Sequence, residues 1–258
     1  MGKSTVPLPE SITASEFESY LGKYPACIEA ISNSKGAKAG QSALVDLDHY
    51  RYHEAVQLYG SGKDAPSMEL DEVKRLVEWK LRHGTFRPSL MKLVSSNPPD
   101  VVKDTIEKAI SLYRDKSDVS GALQILTQLK GIGPATASLL LAVHDADNII
   151  FFADEAFYWL CCNGSKGPIK YNAKEYIALT ERAQVVAKRL SVNAVDVERV
   201  AFVLMRQQSD GEGLTTGAET KVAISAKNTK PAAAKRKISD EKADTKTPTR
   251  RSKRGKQA

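Results

Sequence analysis

The chain has 258 residues, of which 41% are hydrophobic, so it is long enough to bury a core in one or two domains. It contains no apolar run near the roughly 20 residues that a membrane-spanning helix needs, and its N-terminal segment lacks the apolar stretch of a signal peptide. We therefore expect no membrane partner. Three cysteines, Cys27, Cys161 and Cys162, do not make a disulfide framework, which indicates a reducing compartment.

Positive charge is concentrated at one end of the chain, whose formal net charge is +7. Residues 226–258 contain twelve Lys and Arg against three Asp and Glu, a net charge of +9. This leaves 26 basic and 28 acidic side chains in residues 1–225, a net charge of −2. The globular part is thus close to neutral, which weakens the case that the fold alone binds nucleic acid strongly.

The spacing of apolar residues predicts helices along the whole globular part, with little of the alternation that is typical of strands. The predicted helices cover residues 15–32, 48–59, 69–82, 87–93, 101–113, 121–129, 135–143, 154–162, 174–190 and 196–207, and an interruption near Pro25 is an alternative for the first of them. Asp100 is predicted to cap the helix that follows it. We predict a flexible lead over 1–14, an all-α domain over 15–208 and a disordered basic tail over 209–258, where few large apolar residues remain.

The most distinctive stretch is a predicted helical hairpin over residues 121–143. Gly131 and Gly133 permit a tight turn, and Pro134 suits the first position of the following helix. A helix N-terminus offers free amides and a favourable dipole to an anion. The candidate contacts to a nucleic-acid phosphate are Lys130, Gly131, Ile132, Gly133, Ala135 and Thr136. The alternative is a turn between two helices that only packs.

This hairpin resembles that of the helix-hairpin-helix DNA glycosylase superfamily. The matching residues are Leu129, Gly131, Ile132, Gly133, Thr136, Ala137 and the aliphatic run 139–141. The resemblance, which extends over about 70–207, implies a glycosylase-like helical fold that binds DNA mostly through its backbone. Together with the segments YRYHEAV and WKLRHGTFRP, the hairpin also resembles the amun-like nuclear proteins of animals and fungi.

In the glycosylases a catalytic aspartate lies about twenty residues beyond the second glycine of the hairpin, and Asp154 stands there in this chain. The resemblance implies that Asp154 faces the sugar of an extruded nucleotide and stabilises the positive charge that develops as the base departs. An N-cap of the helix that begins here is the alternative role of this residue.

Two departures from the family bear on its chemistry. Members that also cleave the strand carry a lysine where this chain has Ala135, so the resemblance implies base release that leaves the abasic strand intact. Many members bind an iron–sulfur cluster through cysteines near the C-terminus, but no cysteine follows Cys162. We therefore expect no iron–sulfur cluster and no other cofactor.

Two aromatic stretches leave alternatives open. Residues 79–87 contain Trp79, Arg82, His83, Phe86 and Arg87, which are able to stack on bases and hold phosphates, whereas core packing is the alternative for the two large aromatic side chains.

The second stretch holds His49, Tyr50, Tyr52 and His53. Two histidines four residues apart are able to face one metal on a helix. No third ligand stands at a recognisable spacing, so aromatic packing is favoured and no metal site is predicted.

The tail carries two basic clusters that are typical of nuclear import signals or of nonspecific attraction to DNA. Their residues are Lys235, Arg236, Lys237, Arg250, Arg251, Lys253 and Arg254. They predict a nuclear location and binding to a nuclear import receptor, while a solvated tail is the alternative.

Two functions follow from the sequence: a nuclear N-glycosylase that acts on damaged bases without cutting the strand, or a non-catalytic nuclear DNA-binding or scaffold protein with the same fold.

Overall fold

The computed structural model describes residues 6–37, 40–60, 62 and 65–215, and only the backbone for 209–215. Within these residues the chain forms helices and no strand, which confirms the prediction of an all-α class. In chain order the elements are α1 (Ala14–Leu21), α2 (Tyr24–Lys35), α3 (Leu44–His49), a π-helical turn (Tyr50–Glu54), α4 (Ala55–Tyr59), α5 (Leu70–His83), α6 (Leu90–Ser95), α7 (Pro99–Lys116), α8 (Val119–Leu126), α9 (Pro134–His144), α10 (Asp154–Cys162), α11 (Ala173–Leu190) and α12 (Ala194–Thr215).

Side-chain caps begin several of these helices. The Asp118 carboxylate accepts a hydrogen bond from the Gly121 amide at 2.8 Å and starts α8. The predicted cap of α7 is wrong: the cap position is Pro98, and Asp100 lies inside the first turn. Pro99 takes the first helical position, where the missing N–H costs nothing, so the helix begins earlier than the acidic residue indicated.

Helix α9 runs through the centre of the core. Every residue from Thr136 to His144 is buried, and the helix packs against α4, α5 and α8. A helix that is apolar on all sides is stable in water only when neighbours cover it completely. From Thr136 onward α9 is therefore enclosed by its neighbours. Helix α12 packs against α1, α2, α10 and α11.

The ends of the domain differ from the predicted boundaries. Residues 6–13 are not a flexible lead: Ile12 is fully buried, and the Trp159 indole donates a hydrogen bond to the Pro7 carbonyl at 2.8 Å. At the other end α12 continues to Thr215, so the predicted disordered tail is wrong for 209–215. The rest of that tail, with both basic clusters, lies outside the described residues. Among the helices that are described, none is both long and apolar enough to cross a membrane.

The π-helical turn changes which side chains face the core. Three consecutive residues, Tyr50, Arg51 and Tyr52, are buried, which a regular α-helix does not permit on one face. His49 and His53 instead stack at a centroid distance of 5.0 Å, and His49 is largely exposed. Within the described ranges no group of three or more His, Cys, Asp or Glu side chains has a metal-binding arrangement.

Candidate functional site

A cavity of about 390 Å³ lies where the end of α5, the turn before α9 and the start of α10 meet. Its lining combines residues that the sequence analysis selected with others that it did not. The selected residues in the lining are His83, Arg87, Gly131, Gly133, Ala135, Thr136 and Asp154. Of the remaining phosphate candidates, Lys130 is exposed and Ile132 is buried, and neither lines the cavity.

The turn leaves only some of its amides free. The Ile132 amide donates to the Leu129 carbonyl at 3.1 Å, and the Thr136 amide donates to the Gly133 carbonyl at 2.9 Å. These two candidate amides are therefore already bonded inside the turn. The amides of Gly131, Gly133 and Ala135 donate to no other described residue. They are the donors that remain for an anion at the start of α9.

Asn97 holds the turn in place, a role that the sequence did not reveal. Its side-chain oxygen accepts from the Lys130 amide at 2.9 Å, and its side-chain nitrogen donates to the Lys130 carbonyl at 2.9 Å. The same nitrogen donates to the Val94 carbonyl at 2.9 Å, which ties the turn to the end of α6. Asn97 precedes two prolines, and in sequence this pattern indicates only a break between helices. The partners lie 33 residues apart, so no local spacing indicates the pair.

We expect Gly131→Ala to lower the free energy of unfolding by about 1–3 kcal/mol, whereas Gly133→Ala should change it by less than about 0.5 kcal/mol. At Gly131 the backbone has a φ of +80°, and an added Cβ would lie 3.0 Å from the Leu93 Cβ and 3.1 Å from the Val94 nitrogen. At Gly133 nothing lies within 4 Å of an added Cβ. Urea unfolding of both variants provides the measurement. Equal losses would show that the close approach to α6 does not constrain the turn.

Asp154 occupies the first position of α10. Ala153 is the cap residue, so the alternative role of Asp154 as an N-cap is wrong. Its Oδ1 accepts a hydrogen bond from the Tyr171 hydroxyl at 2.5 Å. Burial, together with the adjacent Asp154 carboxylate, raises the pKa of Tyr171 well above its usual range, so this phenol stays a donor.

Tyr171 has a strained backbone that the contact with Asp154 helps to maintain. Its φ is +52°, a left-handed conformation that costs a residue other than glycine about 1–3 kcal/mol. A hydrogen bond to a charged carboxylate contributes about 1.5–3 kcal/mol, enough to offset that cost. The ring lies 5.4 Å from that of Phe152, which fixes its orientation. The position of the Asp154 carboxylate is therefore set by a residue that sequence spacing did not indicate.

Charged side chains of both signs surround Asp154. Burial lowers the pKa of Lys80, the Arg87 guanidinium lowers it further, and the Asp154 carboxylate opposes both effects. Burial raises the pKa of Glu155, whose Oε1 lies 4.0 Å from Nε of Arg206. The cavity thus combines three cationic side chains with two carboxyl groups. Lys80 lies within the stretch 79–87 but has no feature that distinguishes it there, and Arg206 comes from a distant helix that shares no motif with the turn.

The inner wall of the cavity is a rigid aromatic layer. His83 lies between Trp79, at 4.5 Å between ring centroids, and Phe202, at 4.2 Å. Its Nε2 is 3.2 Å from the Tyr24 hydroxyl, which itself donates to Asp48 at 2.8 Å. Because the Tyr24 hydroxyl donates its proton to Asp48, its oxygen is left to accept from His83. Nε2 of His83 therefore carries a proton and donates it to the Tyr24 oxygen. Burial lowers the pKa of His83 well below its ordinary value, so the ring is neutral.

The stretch 79–87 divides between core and surface. Trp79 is fully buried, which confirms core packing for this residue and excludes it from stacking on bases. Arg82 donates to the Gly36 carbonyl at 2.7 Å and holds the loop after α2. Phe86 is 68% exposed, so core packing is wrong for it, and Arg87 lines the cavity. Lys80, His83, Gly84, Thr85 and Arg87 are the residues of this stretch that line the cavity and are available to a ligand there.

Comparisons of the chain with protein-family models, with curated proteins and with solved structures give no match. The cavity and the motif beside it are therefore the features of the chain that indicate a function.

Proposed function

We propose that the helical domain binds DNA at the turn before α9 and that Asp154 promotes release of a base from an extruded nucleotide. One observation carries this proposal: the free amides of the turn and the Asp154 carboxylate share a single cavity. The likeness of residues 129–154 to the helix-hairpin-helix DNA glycosylases agrees with it in the type and order of the residues.

The first step is capture of a phosphate. The amides of Gly131, Gly133 and Ala135 donate to no described residue, and the helix that follows the turn has eleven residues, so its dipole reinforces their attraction for an anion. Lys130, exposed beside them, adds a positive charge. Contacts of this kind recognise the backbone and carry no sequence information, so binding should be sensitive to salt and largely independent of sequence.

The second step is the entry of one nucleotide into the cavity. A volume of about 390 Å³ falls at the low end of the range of about 300–1,000 Å³ that is typical of small-molecule sites. A base must leave the duplex before its glycosidic bond is accessible, and extrusion costs a few kcal/mol, least at damaged or mismatched pairs. Arg87 and Arg206 in the lining offer positive charge to the flanking phosphates.

The third step is cleavage of the bond between C1′ and the base nitrogen. The electron pair of that bond leaves with the base, and positive charge develops on the sugar. The Asp154 carboxylate, oriented by Tyr171, stabilises this charge within a partly buried site. Water then adds at C1′ and loses a proton, which yields an abasic sugar.

A second candidate function is DNA binding without chemistry. Two observations favour it: residues 1–225 have a net charge of −2, and the Tyr171 hydroxyl already occupies one oxygen of Asp154. In this case the cavity serves recognition or assembly of other proteins on DNA. The Asp154 variant described in the Discussion separates the two functions.

Gly133→Asp should weaken duplex binding by residues 1–215 at least about tenfold, equal to about 1.4 kcal/mol. The new carboxylate would stand at the amides that receive the phosphate, while the open space around the Cβ and a φ of −89° leave the fold intact. Gly133→Asn, with the same size and no charge, is the matched control. Fluorescence anisotropy with a labelled duplex at two salt concentrations gives the affinities. Equal affinity of the Asp variant and the parent would remove the turn from the DNA interface.

We also propose that the tail directs nuclear import. The support is compositional: two clusters, Lys235–Lys237 and Arg250–Arg254, lie within the segment of net charge +9. Alanine at the basic residues of both clusters should abolish nuclear enrichment of a fusion to tandem fluorescent proteins, whose size slows passive diffusion. Alanine at Lys227, Lys230 and Lys242 in the same tail is the matched control. Unchanged enrichment in the cluster variant would exclude this role.

A further inference from the structure

Glu155 and Arg206 meet in the lining of the cavity without forming a hydrogen bond. Oε1 of Glu155 lies 4.0 Å from Nε of Arg206, beyond the range of about 2.7–3.2 Å for a hydrogen bond between nitrogen and oxygen. Their side chains are only 21% and 35% exposed, and no side chain of the described residues donates a hydrogen bond to the Glu155 carboxylate. Polar groups buried to this extent are usually satisfied, so the pair keeps hydrogen-bonding capacity for a ligand.

The two side chains offer a ligand different hydrogen-bonding groups. A carboxylate accepts hydrogen bonds through two oxygens, and a guanidinium only donates. Arg206 already donates from Nη2 to the His83 carbonyl at 3.3 Å, and its guanidinium carbon lies 4.8 Å from the centre of the Phe202 ring, so its orientation is fixed. Its Nε is the nitrogen nearest Glu155. Together they present two acceptors beside one donor, which matches a planar ligand edge with two adjacent donors beside one acceptor.

Glu155 follows Asp154 directly in the first turn of α10. Consecutive side chains of a helix point about 100° apart, because one turn contains about 3.6 residues. The two carboxyl groups therefore face different parts of one ligand, and a nucleotide has two such parts, the sugar and the base. The rings of Tyr171 and Phe152, also in the lining, offer stacking surfaces to a base.

We propose that Glu155 and Arg206 select a guanine-type base, in which a 6-carbonyl group and a 2-amino group flank the N1–H group. This inference rests on the proposed function, which places an extruded nucleotide in the cavity with its sugar at Asp154. Enzymes that extrude a base read it through hydrogen bonds to its Watson–Crick edge. The oxygens of Glu155 accept from N1–H and from the 2-amino group, and Nε–H of Arg206 donates to O6. The other N–H groups of Arg206 remain for a flanking phosphate.

Other bases match this pair incompletely. Adenine has an acceptor where guanine has N1–H, cytosine has one at N3, and thymine and uracil carry a carbonyl group where guanine has the amino group. An acceptor set against a carboxylate is repelled, and a site built to bond a donor rejects an analogue that lacks it. Damage at N7 or C8 of guanine leaves the selected edge unchanged, whereas alkylation at O6 removes N1–H. The substrate class is therefore guanine damaged away from its Watson–Crick edge.

Binding of single nucleotides measures this selectivity without base extrusion or base release. The full-length chain is titrated in a calorimeter with 2′-deoxynucleoside monophosphates that differ only in the base. We expect the guanine nucleotide to bind at least about tenfold more tightly than the adenine, thymine and cytosine nucleotides, with the hypoxanthine nucleotide, which lacks only the amino group, between them. The sugar and the phosphate are common to all, so their contacts with basic residues cancel in the ratio of affinities.

Variants of the pair assign the selectivity to these side chains. Glu155→Gln keeps the size but replaces one acceptor oxygen with an NH2 group, so it should remove most of the preference for the guanine nucleotide. Glu18→Gln, at an exposed position of α1, is the matched control and should retain it. Arg206→Lys keeps the charge and loses the planar donor, so the guanine and hypoxanthine nucleotides, which share O6, should weaken by a similar factor of at least about three.

Duplex binding separates the possible failures, and Glu155→Ala provides a second substitution. Both Glu155 variants should bind a duplex as tightly as the parent, because the turn before α9 is unchanged, which shows that they are folded. Equal affinities for all nucleotides, in a chain that binds duplexes, would overturn this inference and leave the proposed function standing. A preference for the guanine nucleotide that persists in both Glu155 variants would also overturn it. A parent chain that binds no duplex would overturn the proposed function itself, and the inference with it.

Discussion

Asp154→Asn should reduce base release by about 10²- to 10³-fold while the fold and DNA binding remain intact. Asparagine has the same size, and its side-chain oxygen still accepts the hydrogen bond from Tyr171. It lacks the negative charge that stabilises the cationic sugar as the glycosidic bond breaks. The measurement uses duplexes that carry uracil, alkylated or oxidised bases, followed by alkali, which converts every abasic site into a strand break.

The matched control for this variant is Asp104→Asn, which removes the same charge from an exposed position of α7. It should release bases at the parent rate. Activity that survives in Asp154→Asn would remove this carboxylate from the mechanism. A parent chain that binds duplexes but releases none of these bases would favour the second candidate function, DNA binding without chemistry.

Glu198→Gln should lower the free energy of unfolding by about 3–5 kcal/mol. Glu198 and Arg51 form an ion pair at 3.6 Å with almost no solvent exposure, and no hydrogen bond satisfies the guanidinium nitrogens of Arg51 within the described residues. Loss of the carboxylate would leave a buried cation supported only by the faces of Tyr52 and Trp79, at 4.9 and 5.6 Å, and by a weaker interaction with the Asp48 carboxylate.

The double variant Arg51→Met/Glu198→Gln tests that reasoning. It removes both charges and keeps an acceptor for the Tyr52 hydroxyl, which donates to Glu198 at 2.7 Å in the parent. We expect it to recover most of the lost stability, because an uncompensated charge costs more than an apolar replacement of the pair. Thermal and urea unfolding of the single and double variants measure the difference. A double variant as unstable as Glu198→Gln would show that the loss comes from altered packing.

Local features of the sequence were sufficient for most of the helices and for the turn before α9, but they did not predict the start of α3 at Leu44 or the π-helical turn Tyr50–Glu54. Apolar spacing within one helix depends only on which face is buried, and the order of Gly131, Gly133 and Pro134 reflects backbone geometry within a few residues. The same local reasoning selected Asp154, which lines the cavity beside that turn. It failed at residues 6–13 because a short segment with two prolines gives no periodic signal even when it packs on the domain.

The residues that line the cavity are brought together only by the tertiary structure. Lys80, Tyr171 and Arg206 reach it from three segments that are far apart in the chain, and Asn97 fixes the turn across 33 residues. Such contacts depend on how whole helices pack, and no periodicity within one segment encodes them. The charge balance around Asp154 therefore depends on how α5, α10 and α12 pack against the start of α9. Burial and the proximity of other charges together set the protonation of each group, and both depend on that packing.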